Sequence, residues 1–177
     1  MNKTMQIKVP EGKTNLVAVD KVDNRPVTEQ IKTFEDAVKA TGMKLPLDNN
    51  QLSCLPKDVV AYMKLRIIAA ALNGLTEDTL DEFPKLTIDE WKWFPMFGLY
   101  TNAGIGNISE EIKKSLFLFS SDSHYNSYCG IATNDLYAYD IKSTANFTAR
   151  LAVKSYELAQ YFGKQFIDIW ADYLVKQ

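Results

Sequence analysis

Across residues 55–74, apolar side chains return at Val60, Met63, Ile67 and Ala71, with Ile68 and Leu72 beside them. That three-to-four-residue recurrence is the signature of one face of a helix. Pro56 suits a first helical turn and Gly74 a closing position, so a helix is predicted between them. Lys64 and Arg66 lie off the stripe, and the pattern predicts one buried and one wet face. TFEDAVKATG carries its own punctuation. Thr33 can accept from the first-turn backbone, Asp36 can reach back in a capping box, and Gly42 can take the left-handed closing position. The third helical signal spans residues 155–176. Ser155 stands as N-cap and Glu157 favours the positive end of the dipole. Leu158, Phe162, Phe166, Ile169 and Tyr173 share a face there, flanked by Tyr161, Trp170 and Leu174.

Elsewhere the texture shortens. MQIKVPEGKTNLVAV reads as two β segments within residues 5–20, and DKVDNRPVTEQIK reads as a polar loop. In LTEDTLDEFPKLTIDEW, an acidic stretch broken by Pro84, Thr87 and Glu90 form a capping-box pattern. From residue 93 to 154, short runs such as WFPMFGLYT, SLFLFSS, SYCGIAT, LYAYDIK and NFTARLAVK alternate with Asn, Gly, Asp and Ser clusters. They predict an antiparallel β-meander of about five strands. The expected fold class is α+β: one domain over residues 1–177, with helices across 33–74 and the long C-terminal amphipathic helix packed on the sheet.

EWKWFPMFGLY concentrates aromatic side chains around Pro95, which cannot donate to a sheet ladder and is expected at an edge or a strand start. Trp91 and Trp93 are read as packing where helix meets sheet. Phe97 and Leu99 are expected to point one way and Met96 and Tyr100 the other, on a strand covered on both sides. A stacking or contact role is left to the tyrosines that alternate with polar residues: Tyr125 and Tyr128 in HYNSYCG, Tyr137 and Tyr139 in LYAYD.

The formal net charge of −2 gives no electrostatic case for nucleic acid. Cys54, Cys129 and His124 have neither zinc-ligand spacing nor a disulfide-scaffold pattern, so no metal and no cofactor are expected. No stretch reads as a signal-peptide core or a membrane span. NAGIGN (102–107) lacks the full dinucleotide fingerprint and the P-loop lysine, and reads as a turn between strands rather than an anion loop. His124, beside Ser120, Ser121, Asp122 and Ser123, shows no nucleophile elbow, and a non-enzymatic protein is expected. Arginine occurs only at 25, 66 and 150. Arg150, between Ala149 and Leu151 in an expected apolar strand, calls for a planar partner: a protein carboxylate first, a bound phosphate second.

The C-terminal run ARLAVKSYELAQYFGKQFIDIWADYL (149–174) resembles a group of small uncharacterised proteins of Bacteroides-type gut bacteria, their prophages and crAss-like phages. AYMKLRIIAAALNG, EWKWFPMF, the PEG turn and TFEDAVKATG share the likeness, and SSDSHYNSYCGIATNDLYAYD departs from it. The resemblance implies a phage or mobile-element origin and carries no active site. It implies a structural or accessory protein, virion-associated or acting in assembly, that works through protein–protein contacts and can self-associate. Its place would be the host cytoplasm or the virion. The alternative is a host-takeover or anti-defence factor that sequesters a nucleotide-type molecule or blocks a defence protein. The expected contact residues are Tyr125, Tyr128, Tyr137, Tyr139 and Arg150.

Overall fold

The computed structural model describes residues 23–82, 92–100, 102–114, 116–118, 130–133 and 150–175. In chain order the elements are α1 (Val27–Gln30), α2 (Phe34–Thr41), α3 (Asn49–Ser53), α4 (Lys57–Asn73) and a 3₁₀ turn (Glu77–Glu82). Then follow β1 (Phe97–Tyr100), α5 (Asn102–Ile105), α6 (Glu110–Lys114), β2 (Leu116–Leu118), β3 (Gly130–Thr133), α7 (Tyr156–Gln165) and α8 (Ile167–Leu174).

The helices form where local chemistry dictates. The Thr33 side chain accepts from the Asp36 N–H while the Asp36 carboxylate accepts from the Thr33 N–H, and Gly42 closes α2 at φ 74°. Lys32 N–H also donates to that carboxylate at 3.0 Å. These donors, with the Thr33 hydroxyl, hold the Asp36 pKa below its ordinary value. A second capping box, Asp48 with Gln51, opens α3. Gly74, also at φ 74°, ends α4 and sends its N–H to the Ala70 and Ala71 carbonyls. Both glycines occupy left-handed conformations that side-chain-bearing residues rarely adopt.

α4 is the centre of the molecule. Ile67, Ile68, Ala69, Ala70, Ala71 and Leu72 are all buried, and six consecutive positions span every direction around a helix. The expectation of one buried and one wet face therefore fails for its C-terminal half. Three successive alanines let neighbouring elements approach closely on all sides. In its N-terminal half, Ala61 and Leu65 are buried while Val59 remains exposed.

α2 packs against one side of α4 and α8 against another. Phe162, Phe166 and Trp170 fill the space between, with ring centroids 5.0 Å apart for Phe162–Trp170 and 6.1 Å for Phe162–Phe166. Phe97 adds a ring 5.1 Å from Trp170. Two hydrogen bonds tie α7 to the stretch before α2: the Tyr161 hydroxyl donates to the Ile31 carbonyl at 2.6 Å and Gln165 donates to the Lys32 carbonyl at 2.9 Å. The Asn73 side chain clamps the far segment, donating to the Ala152 carbonyl and accepting from the Lys154 N–H, each at 3.0 Å.

Several expectations are corrected here. The α+β domain built on an antiparallel β-meander is overturned: the described residues are mostly helical. The short strands pair in the order β1–β3–β2, so among the described residues consecutive strands are not neighbours throughout and no meander forms, while LYAYDIK lies outside those residues. Of NFTARLAVK, residues 150–154 do not form a ladder strand of that sheet, and residues 146–149 lie outside the described residues. Arg150 and Leu151 lie in a 3₁₀ turn, and Val153 makes only an isolated bridge to Trp93. The C-terminal helix breaks at Phe166 (φ −115°, ψ 30°), one turn after Gly163, the weakest helix former in the run. Its second half, α8, docks chiefly on α4, whose long buried apolar run offers more surface than three short strands. Trp170, at 2% exposure, occupies the centre of its buried face, while Ile169 is only half-buried. The loop reading of DKVDNRPVTEQIK missed α1 and the buried Ile31. The β segments at 5–20 and the Thr87–Glu90 capping pattern lie outside the described residues.

Candidate functional site

The chain after α2 is turned outward by a compact device. The Thr41 hydroxyl donates to the Ala37 carbonyl at 2.8 Å and accepts from the Met43 N–H at 3.1 Å. Gly42 reverses the backbone between them. The next residues run along α4 until Asp48 caps α3. Between this run and α4 opens a groove of about 210 Å³. Met43, Leu45 and Pro46 form one wall, and Met63 and Ile67 form the other. Met43 and Leu45 rest on the core beneath, so the floor is rigid while the thioethers can adapt. Lys44, exposed, and Arg66, half-buried, bring the only charges among the described residues that line it.

A second cleft of about 290 Å³ lies at the start of α4, between α3 and α8. Leu52, Leu55, Val60 and Ile169 make its apolar part, while Lys57, Lys64 and Asp172 make it mixed in charge. The Lys64 ammonium stands 5.7 Å from the Phe34 ring centre, a cation–π contact within the chain.

Chemically the two concavities differ. The first presents aliphatic and thioether surface with a cationic rim, and its described lining holds no carboxylate, imidazole or hydroxyl for proton transfer. It is suited to receiving an apolar side chain. Among the described residues no cluster of three His, Cys, Asp or Glu side chains converges. The titrating groups with displaced pKa values are structural. Burial pushes the Tyr161 hydroxyl up, helped by the nearby Asp36 charge. Burial also pushes up Tyr173, whose ring lies 5.8 Å from that of Tyr62. The exposed Arg25 holds the Asp23 carboxyl down to about 2.

Of the residues singled out in the sequence, Tyr125, Tyr128, Tyr137, Tyr139, His124, Cys129 and the serines at 120–123 lie outside the described residues, as does Trp91. Arg150 is exposed in its 3₁₀ turn. The expected apolar strand at Arg150 is therefore corrected to a turn. Trp93 is half-buried and meets Tyr156 edge-on at 5.5 Å. Phe94 and Ala152 form a small core of their own with Met96 packed against it. Leu99, at 45% exposure, shows that β1 is not covered on both sides. NAGIGN is not a plain turn between strands: residues 102–105 are helical, and the Asn107 N–H closes on the Gly104 carbonyl at 3.0 Å. Cys54 is exposed with a free thiol.

Of the groove residues, the sequence marks Met63, Ile67 and Arg66 only as positions on and off the α4 stripe, and residues 43–46 went unremarked. Met43 and Leu45 alternate with Lys44 and Pro46 immediately after a glycine-closed helix, a two-residue period that marks an extended segment with one apolar side. No helix among the described residues is long and apolar enough to cross a membrane. Comparison with protein-family models, curated proteins and solved structures gives no match.

Proposed function

We propose that this protein is a non-enzymatic, phage- or prophage-encoded structural or accessory protein that acts through protein–protein contacts. The observation that carries the reading is the open apolar groove between residues 43–46 and α4, whose lining suits anchoring a side chain rather than chemistry. Exposed Val59, Leu99 and Leu174 add apolar surface elsewhere on the molecule. The resemblance of residues 149–174, and of the α4 segment, to proteins of gut-bacterial phages supports the setting. The variable tyrosine-bearing segment supplies the residue type that interfaces favour for combining area with a hydrogen bond.

The test is mass spectrometry of purified particles and of material captured by the tagged chain from infected cells. The expected result is recovery with a defined phage or host protein, weakened in the Tyr137→Ala plus Tyr139→Ala variant. Tight nucleotide binding in calorimetry, lost on Arg150→Ala, would replace the reading with sequestration. A saturable turnover lost on mutating His124 would replace it with catalysis.

A further inference from the structure

We infer that the groove between residues 43–46 and α4 receives an acidic, amphipathic segment of the partner protein, anchored by one large apolar side chain. The inference rests on the contact-protein reading and deepens it by naming the surface and the partner's chemistry. Size argues first. About 210 Å³ lies below the roughly 300–1,000 Å³ of pockets that enclose a small-molecule ligand, yet it holds an aliphatic or aromatic anchor from a protein segment. The walls argue next. Met43 and Met63 both line the groove, and unbranched thioethers adapt to anchors of different shape, as in surfaces that capture amphipathic helices.

Charge then selects the partner. The whole chain is net negative, but the two charged side chains that line the groove among the described residues, Lys44 and Arg66, are both cationic. Arg66 is already engaged within the chain, so its part is the groove wall and the local field. Lys44, exposed at the rim, is the side chain placed to meet a carboxylate beside the anchor. A cationic rim on an acidic protein favours acidic segments and disfavours basic ones.

The experiment presents a random peptide library to the full-length chain, then measures binding of an enriched, fluorescently labelled peptide. Enriched sequences are expected to place Asp or Glu beside a Leu, Ile, Met or Phe anchor. Lys44→Glu, an exposed change, is expected to weaken the labelled peptide about tenfold with an unchanged melting temperature. Met63→Glu is expected to abolish binding, and Lys44→Glu keeps the test decisive should that variant fail to fold. Absence of enrichment, enrichment of basic or neutral peptides, or binding indifferent to Lys44→Glu overturns the inference. A wild-type dimer in sedimentation that Lys44→Glu dissolves also overturns it, by making a second copy the occupant. Capture of a protein partner that survives both substitutions retains the contact reading while removing this groove. Failure to capture any partner removes both.

Discussion

The helices α2, α4, α7 and α8 and the short strands β1–β3 are both rich in apolar residues, yet they hold their places by different means. α4 is buried through six successive positions and is met by helices on more than one side. β1 has four residues, with Leu99 exposed and Phe97 reaching the aromatic cluster around Trp170. The helical body carries its own caps, its own clamp and most of the buried apolar side chains among the described residues. The strands lean on it. Stability is therefore expected to be graded, highest in the helices and lower in the sheet.

The largest expected effect attacks the centre of the helical body. Trp170→Ala removes the ring that meets Phe97, Phe162 and Tyr173, and should cost about 3–5 kcal/mol in urea denaturation. Leu99→Ala in β1 should stay within about 0.5 kcal/mol. Equal costs would break the comparison.

Next comes the clamp between the two sequence-distant parts of the core. Asn73→Ala leaves the Ala152 carbonyl and the Lys154 N–H without their side-chain partner, and should cost about 1–3 kcal/mol in the same measurement. A smaller step is Thr33→Ala, which opens the α2 capping box and should cost about 1 kcal/mol.

That gradient also explains what could be read before the structure. Thr33, Asp36 and Gly42 were legible because a cap is local: the residues that cause it lie within one turn of each other. Asp48 with Gln51 was equally available as a signal. Stripe position along α4 was less legible, because burial on all sides depends on which helices arrive, and Ala69, Ala70 and Ala71 look the same either way. The break at Phe166 and the docking of α8 on α4 are tertiary outcomes of the same kind. SLFLFSS and SYCGIAT each contain strand residues, but their pairing order is long-range and could not be read from alternation. NFTARLAVK resembles a strand through β-branched and apolar residues, while its described part, residues 150–154, forms a turn and a single bridge. The groove was half legible: Met43 and Leu45 show the right period, but Met63 and Ile67 meet them only through the fold.

The smallest expected effect is a pH dependence. Tyr161 has its pKa raised above the ordinary 10.0 in the folded protein by burial and by Asp36. Its neutral form is the one the fold favours, so its contribution is complete below about pH 10 and is lost as pH rises through the folded value. Tyr173, also raised by burial, acts in the same direction. Stability should therefore fall in the alkaline limb, and Tyr161→Phe should flatten that fall without removing it. An unchanged limb in the variant would show that Tyr161 does not report the tie between α7 and Ile31.

Native-state amide hydrogen exchange tests the central contrast most directly, because it reads the opening energy of each element in one sample. The slowest amides are expected in the buried half of α4, residues 65–72, and beside Trp170 in α8. Amides of residues 97–100 should exchange faster, through local openings that leave the helices closed. Protection in β1 equal to that in α4 would contradict the account, since the sheet would then be a full partner in the core.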